Sequence, residues 1–166
     1  MSARHDPEDL IRLFNTLFER QYRCRLVRGG DEPLYLPAVA SSDFHLLQFA
    51  HGYFASALHE VAHWCIAGPQ RRLQVDFGYW YRPQRNQQQQ REFERLEVKP
   101  QALESLFAEA AGFPFQVSID NFAVQESEHR IRFAQQVAVT RQQWVERGLP
   151  ARAQLFRDTL YRFYRK

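Results

Sequence analysis

Two histidines lie four residues apart in the stretch His59-Glu60-Val61-Ala62-His63, and this spacing suits the binding of a divalent metal ion. On an α-helix such residues are offset by about 40° around the axis and about 6 Å along it, so both imidazoles can reach one ion. Glu60 projects about 100° away from His59 and could act as a base on a metal-bound water. The motif therefore predicts a metal-binding helix.

The residues around this motif favour a helix that is buried on most of its surface. Residues 49–58 and 64–67 are rich in apolar residues and helix formers, and Gly68-Pro69 is a typical helix end. The alternative is that both histidines are hydrogen-bonded core residues. A helix that is apolar on its other faces would then bury two polar rings and a carboxylate, which is costly without partners.

A third ligand is expected from another segment, because two histidines seldom form a functional metal site alone, and a carboxylate from a second helix is the usual partner. Glu94 and Glu97 stand three apart on one face of a predicted helix, among apolar residues that indicate partial burial. We predict Glu97 as the ligand, since Leu96 and Val98 flank it. Glu94 would then orient a histidine or pair with an arginine, unless both glutamates lie on the surface.

Other polar residues offer alternatives. Asp76 and Glu104 are alternative ligands, and His45 and His51 could hydrogen-bond near the site or simply pack.

Three functions fit a site of this composition. With zinc bound and Glu60 as general base, the protein would be a metallopeptidase of the His-Glu-x-x-His plus Glu type. With iron(II), two histidines and one carboxylate form a facial triad that leaves positions open for dioxygen and substrate. A closed site with four ligands would be structural. The identities of the ligands do not separate these functions.

The rest of the sequence predicts mainly helices with a small β component, and a zincin-like local arrangement around the metal-binding helix. Asp6 and Pro7 begin a first helix that ends before Gly29. Two prolines around alternating apolar residues indicate an extended loop or edge strand at 31–37. Partial alternation predicts a strand at 73–81. Further helices are predicted at 87–112, with a bend or restart at Pro100, at 128–147 and at 151–165.

Composition indicates one compact domain over residues 1–166, since 45% of the 166 residues are hydrophobic. Neither a membrane-spanning stretch nor a signal peptide is recognisable, so we expect a soluble cytoplasmic protein. Cys24 and Cys65 are expected to be buried free thiols. The formal net charge is +3, and all but two of the 22 basic residues are arginines. Such charge suits an acidic protein partner, RNA or a solvated surface, but no nucleic-acid-binding signature accompanies it.

Four segments in order, residues 31–37, 49–68, 75–81 and 93–103, resemble the bacterial elongation factor P hydroxylase family. The resemblance implies a metal-dependent hydroxylase that acts on the β-lysylated lysine of elongation factor P, in the last step of that modification. It also implies a fold unlike the double-stranded β-helix of the 2-oxoglutarate oxygenases. By the same resemblance the metal ligands are His59, His63 and Glu97, and Glu60 occupies the position of the base in a peptidase.

Under this hypothesis, iron(II) at these ligands activates dioxygen for attack on a C–H bond of the modified lysine, although purified protein could carry zinc. Glu60 would handle protons or hold the ammonium groups of the substrate. Tyr79, Trp80 and Tyr81 would line a channel for the lysine arm or pack in the core, and Asp76 could instead receive the ammonium. The sequence identifies neither the reductant nor the oligomeric state.

The resemblance further implies that elongation factor P is acidic and shaped like transfer RNA. The arginines would then attract the surface of this protein, and no direct binding of nucleic acid is expected.

Overall fold

The computed structural model describes residues 4–79, 85–118 and 127–166. Helices dominate these residues, and a small sheet lies near the N-terminus, which confirms the mainly helical prediction. The elements are α1 (Pro7–Tyr22), β1 (Cys24–Arg28), β2 (Leu34–Leu36), β3 (His45–Phe49), α2 (Phe54–Ile66), α3 (Gln87–Ala111), α4 (Ser127–Arg147) and α5 (Ala151–Tyr164), with 3-10 helices at Arg71–Leu73 and Val75–Gly78. Among the described residues, no helix combines the length and apolar character that a membrane span requires.

The first helix begins as the sequence predicts. The carboxylate of Asp6 accepts a hydrogen bond from the backbone N–H of Glu8, and Pro7 takes the first helical position, where a missing N–H costs nothing. α1 ends at Tyr22, and the next residue, Arg23, has a left-handed backbone (φ 49°) that stops the helix. The apolar face of α1 packs against β1 and α5.

Three strands form a sheet in the order β1-β3-β2, in which β1 runs parallel to β3 and β2 antiparallel to it. β2 is an edge strand, which confirms the prediction for residues 31–37. Neither β1 nor β3 was predicted from the sequence. Residues 49–53, which were predicted in the approach to the metal-binding helix, are the end of β3 and a turn that contains two left-handed residues, His51 (φ 54°) and Gly52 (φ 66°).

The predicted strand at 73–81 is wrong for the residues that the structure describes. Residues 75–78 form a 3-10 helix with left-handed backbone at Asp76 (φ 49°) and Phe77 (φ 60°). The Asp76 carboxylate accepts a hydrogen bond from the N–H of Tyr35 at 2.8 Å, and the ring of Phe77 stacks on that of Tyr35 at 4.2 Å. Contacts with β2 therefore fix this segment, and Trp80 and Tyr81 lie outside the described residues.

α3 is a single helix that passes through Pro100 without a restart. Asn86 and Gln89 form a capping box at its N-terminus, and Gly112 ends it in a left-handed conformation (φ 67°). Because α3 is long, it packs against α2, α4 and α5.

An aromatic cluster anchors α2 in the core. The indole of Trp64 is 1% exposed and lies 5.0 Å from the ring of Phe14 and 4.9 Å from that of Phe18. Cys24 and Cys65 are free and buried, and burial raises the pKa of each thiol to about 12, so both are unreactive core residues.

Two arginines bind the C-terminal end of α2. The guanidinium of Arg152, on α5, donates hydrogen bonds to the carbonyl oxygens of Trp64 and Ala67, each at 2.7 Å, and lies 4.5 Å from the indole ring of Trp64. Arg72 donates to the same Ala67 carbonyl at 2.7 Å. Positive charge is favourable at this end of a helix, where carbonyl groups lack intrahelical partners.

Replacement of Arg152 by Met should lower the free energy of unfolding by about 2 kcal/mol, because hydrogen bonds to a charged donor are lost while the apolar stem remains. Urea denaturation followed by circular dichroism would measure the change. Arg162→Met, at an exposed arginine on the same helix, is the control and should change stability by less than about 0.5 kcal/mol. Equal effects of the two substitutions would contradict this role for Arg152.

Candidate metal centre

α2 directs two imidazoles toward α3 while the rest of the helix is packed in the core. Leu58, Val61, Ala62, Trp64 and Cys65 are each at most 1% exposed. The side chains of His59 and His63 are 25% and 12% exposed, so they lie at the edge of the core rather than inside it. This distribution is what the sequence motif predicts for a metal-binding helix.

The two histidines and Glu97 bring three ligand atoms together. The Nε2 atoms of His59 and His63 are 3.1 Å apart. Glu97 Oε1 lies 3.3 Å from Nε2 of His63, and Glu97 Oε2 lies 3.5 Å from Nε2 of His59. Ligands bound at about 2.1 Å from one ion, at tetrahedral or octahedral angles, lie about 3.0 to 3.4 Å from each other. The three side chains therefore have the separations of a metal-binding triad.

The carboxylate of Glu97 suits a cation. Glu97 is 5% exposed, and its Oε2 atom has no hydrogen-bond partner among the described residues. Burial alone would raise the pKa of Glu97, but the charges of His59 and His63 outweigh burial and hold that pKa well below its ordinary value. A buried anionic oxygen without a partner is costly, and a bound metal ion would satisfy it.

Glu104, also on α3, holds His59 from the opposite side of its ring. Nδ1 of His59 donates a hydrogen bond to Glu104 Oε1 at 2.6 Å. When the ring is neutral, this hydrogen bond leaves the lone pair on Nε2, directed at Glu97 and His63, which is the tautomer that a metal ligand needs. Burial would lower the pKa of His59, whereas the charges of Glu97 and Glu104 raise it well above its ordinary value.

Glu104 was predicted only as an alternative ligand, and its contact with His59 was not predicted from the sequence. A signal was present in the spacing. Glu97 and Glu104 are seven residues apart, so on a helix they share one face at an offset of about 20° and lie about 10 Å apart along the axis. Two carboxylates in this register can reach one partner helix at points about two turns apart.

Glu60 is buried beside the ligands but supplies none of the three ligand atoms. Burial raises the pKa of its carboxyl group, and the charges of His59 and His63 oppose this shift. Phe77 covers the other ligand of α2, since its ring lies parallel to that of His63 at 6.3 Å between centroids.

The remaining candidate residues make contacts elsewhere. Glu94 lies 3.4 Å from Nδ1 of His129 on α4, so it pairs with a histidine, but with neither His59 nor His63. His51 lies 3.8 Å from Asp31, on the surface.

Asp76, Tyr79 and Tyr81, which we expected near the substrate, follow α2 in the sequence. Asp76 bonds to the backbone of Tyr35. The guanidinium of Arg71 lies over the ring of Tyr79 at 4.2 Å, and Tyr79 packs against the main core, as the core alternative for this residue predicts. Tyr81 lies outside the described residues. His45 accepts a hydrogen bond from the N–H of Ala38 and is part of β3.

Substitution of Glu97 by Ala should abolish tight binding of a divalent metal, because one of three converging ligands is lost. We expect a loss of affinity at least as large as the about 10- to 100-fold typical of residues that only support ligands. Competition with a chromophoric chelator for Zn²⁺ would measure it. Glu94→Ala, three residues away on α3, is the matched control and should bind as the wild type does. Wild-type affinity in Glu97→Ala would contradict the triad.

Substitution of Glu104 by Ala should weaken metal binding by about 10- to 100-fold, since His59 loses the acceptor that fixes its tautomer. Glu104→Gln should recover part of the affinity, because its amide oxygen can accept the same hydrogen bond. The chelator competition applies again, with ¹⁵N NMR of the histidine rings to report the tautomer. An unchanged affinity and tautomer in Glu104→Ala would show that Glu104 has only a packing role.

Known proteins resemble this chain over most of its length. Residues 13–166 match the family model described as elongation factor P hydroxylase. A protein of Haemophilus influenzae (strain ATCC 51907 / DSM 11121 / KW20 / Rd), named elongation factor P lysine hydroxylase, is 48% identical over 161 residues, which span 96% of this chain and 90% of the relative. Neither match supports a metallopeptidase.

Proposed function

The chain belongs to the elongation factor P hydroxylase family, and we propose that it hydroxylates the β-lysylated lysine of elongation factor P. The observation that carries this proposal is the 48% identity to a lysine hydroxylase of elongation factor P over nearly the whole chain. We propose further that residues 1–166 act as one hydroxylase domain in the cytoplasm, where the translation machinery works.

The proposed metal ligands are His59, His63 and Glu97. Two imidazoles and one carboxylate form the donor set of non-haem iron(II) sites, and their separations here fit one ion. Two histidines on one helix and a glutamate from a second helix are a zincin-like local arrangement, so zinc is expected to bind in purified protein. Iron(II) in this site would supply the activation of dioxygen that insertion of one oxygen atom into a C–H bond requires, while two electrons from an external reductant and two protons would convert the second oxygen atom to water.

The residues around the triad have distinct proposed tasks. Glu104 holds the ring of His59 through Nδ1 and keeps Nε2 directed at the ion. Glu60 is buried among charged groups of both signs, and its carboxylate would bind an ammonium group of the modified lysine or take up a proton. Phe77 covers one side of His63 and limits access of water to that ligand.

The zinc peptidase alternative requires only the histidine motif and a third carboxylate, and nothing in the relatives supports it. The two functions predict different products. A hydroxylase leaves the substrate chain intact and heavier by one oxygen atom, whereas a peptidase divides the chain.

Intact mass spectrometry of elongation factor P from cells that lack or express this protein would test the proposal. Expression should add one oxygen atom to the β-lysylated form, and His59→Ala and Glu97→Ala should abolish this gain because each removes a ligand. His51→Asn is the control, since His51 lies away from the triad and asparagine tolerates its left-handed backbone (φ 54°). No gain with folded, metal-loaded wild-type protein would overturn the proposed function.

A further inference from the structure

A groove of about 740 Å³ lies between α3 and α4, on a different face of α3 from the metal ligands. On a helix, residues three apart are offset by about 60°, so the groove residue Glu94 lies only a sixth of a turn away from Glu97. The groove therefore lies beside the metal-binding face of α3, close enough for one protein to contact both.

The rim of the groove carries positive charge that the described residues do not neutralise. Arg91 and Lys99 on α3 and Arg132 on α4 are exposed, and none of them forms an ion pair with a carboxylate of the described chain. The carboxylate that the groove contains, that of Glu94, is already paired with His129. The groove thus presents cations and has no free anion of its own.

The floor of the groove is apolar. Phe133 is 2% exposed and Val98 packs beside it, while Val139 is 58% exposed at the rim. Positive charge over an apolar floor suits a peptide that carries carboxylates together with an apolar side chain, because both parts find partners.

The dimensions suit an extended segment. Arg91 and Lys99 are eight residues apart, which on a helix is about 12 Å along the axis. An extended chain covers this length with about four residues. One short acidic segment could therefore reach both ends of the groove.

We propose that this groove docks an acidic, extended segment of the protein substrate, at a position separate from the lysine that is modified. This inference rests on the proposed function, because it assigns the groove to the same substrate protein. Docking there would hold the substrate while its lysine enters the metal centre.

The test is a charge reversal in the groove, Lys99→Glu with Arg132→Glu, in the full-length, metal-loaded protein. Unmodified elongation factor P is the binding probe, so that docking is measured without reaction, and β-lysylated elongation factor P is the substrate for kinetics. The double variant should raise both Kd and KM by about ten-fold or more with little change in kcat, and should reduce the dependence of Kd on salt.

The matched control is Arg130→Glu with Arg20→Glu, which changes the net charge equally at exposed arginines outside the groove. Arg130 is on the same helix as Arg132 but about 160° away around its axis. The control should change Kd by no more than about three-fold, the effect of long-range charge alone. Lys99→Gln with Arg132→Gln removes the two charges without reversing them, and it should raise Kd by an intermediate amount. This variant replaces the charge reversal if the reversed protein is unstable.

Two results from the variants would overturn the groove proposal while hydroxylation stands: wild-type Kd and KM in the groove variants, or equal losses in the groove and control variants. Failure of the proposed function is visible in the wild-type protein alone, as the absence of any oxygen gain in elongation factor P. Wild-type protein that hydroxylates but does not bind the unmodified probe would also contradict docking apart from the modified lysine.

Discussion

A carboxylate buried between two helices needs opposite charge or donors to replace its lost hydration, and the contact between α2 and α3 meets this need with imidazoles. Glu97 and Glu104 contact His59 from two sides, and Glu97 also reaches His63. None of these polar groups would be stable at this depth without the others. Because this contact satisfies the polar groups of α2, the other faces of that helix can be apolar. The contact also requires α3 to extend over both Glu97 and Glu104.

Local signals in the sequence predicted most of the helices. A capping aspartate with a following proline marks the start of α1. The restart that Pro100 suggests does not occur, because α3 continues through it and packs against α2, α4 and α5. The parallel partner strands β1 and β3 were not predictable in this way, since each depends on a distant segment for its hydrogen bonds. Alternating aromatic residues predict a strand around Asp76. The hydrogen bond from the backbone of Tyr35 to the Asp76 side chain, together with left-handed backbone, gives this segment a different conformation.

In the candidate site, too, local features were predictable from the sequence and contacts between distant segments were not. The spacing of His59 and His63 is local, and apolar neighbours were sufficient to favour Glu97 over Glu94 as the partner of the histidines. The contact between Glu104 and His59 depends on the register between two helices, which no pattern within one helix determines. The contact between Glu94 and His129 likewise depends on two helices, because the position of α4 determines which face of α3 lines the groove and which face carries the metal ligands.

The hydrogen bonds from Arg152 to the end of α2 affect the order in which segments of this protein fold during synthesis. Arg152 follows Trp64 by 88 residues, so its bonds to the end of α2 can form only after α5 has been synthesised, whereas Arg72 is available much earlier. Contacts between such distant segments form late, because a long loop must close first. A nascent chain would therefore hold its histidines in a helix whose C-terminal end Arg72 alone binds, and the complete anchoring of that helix would belong to a late stage of folding.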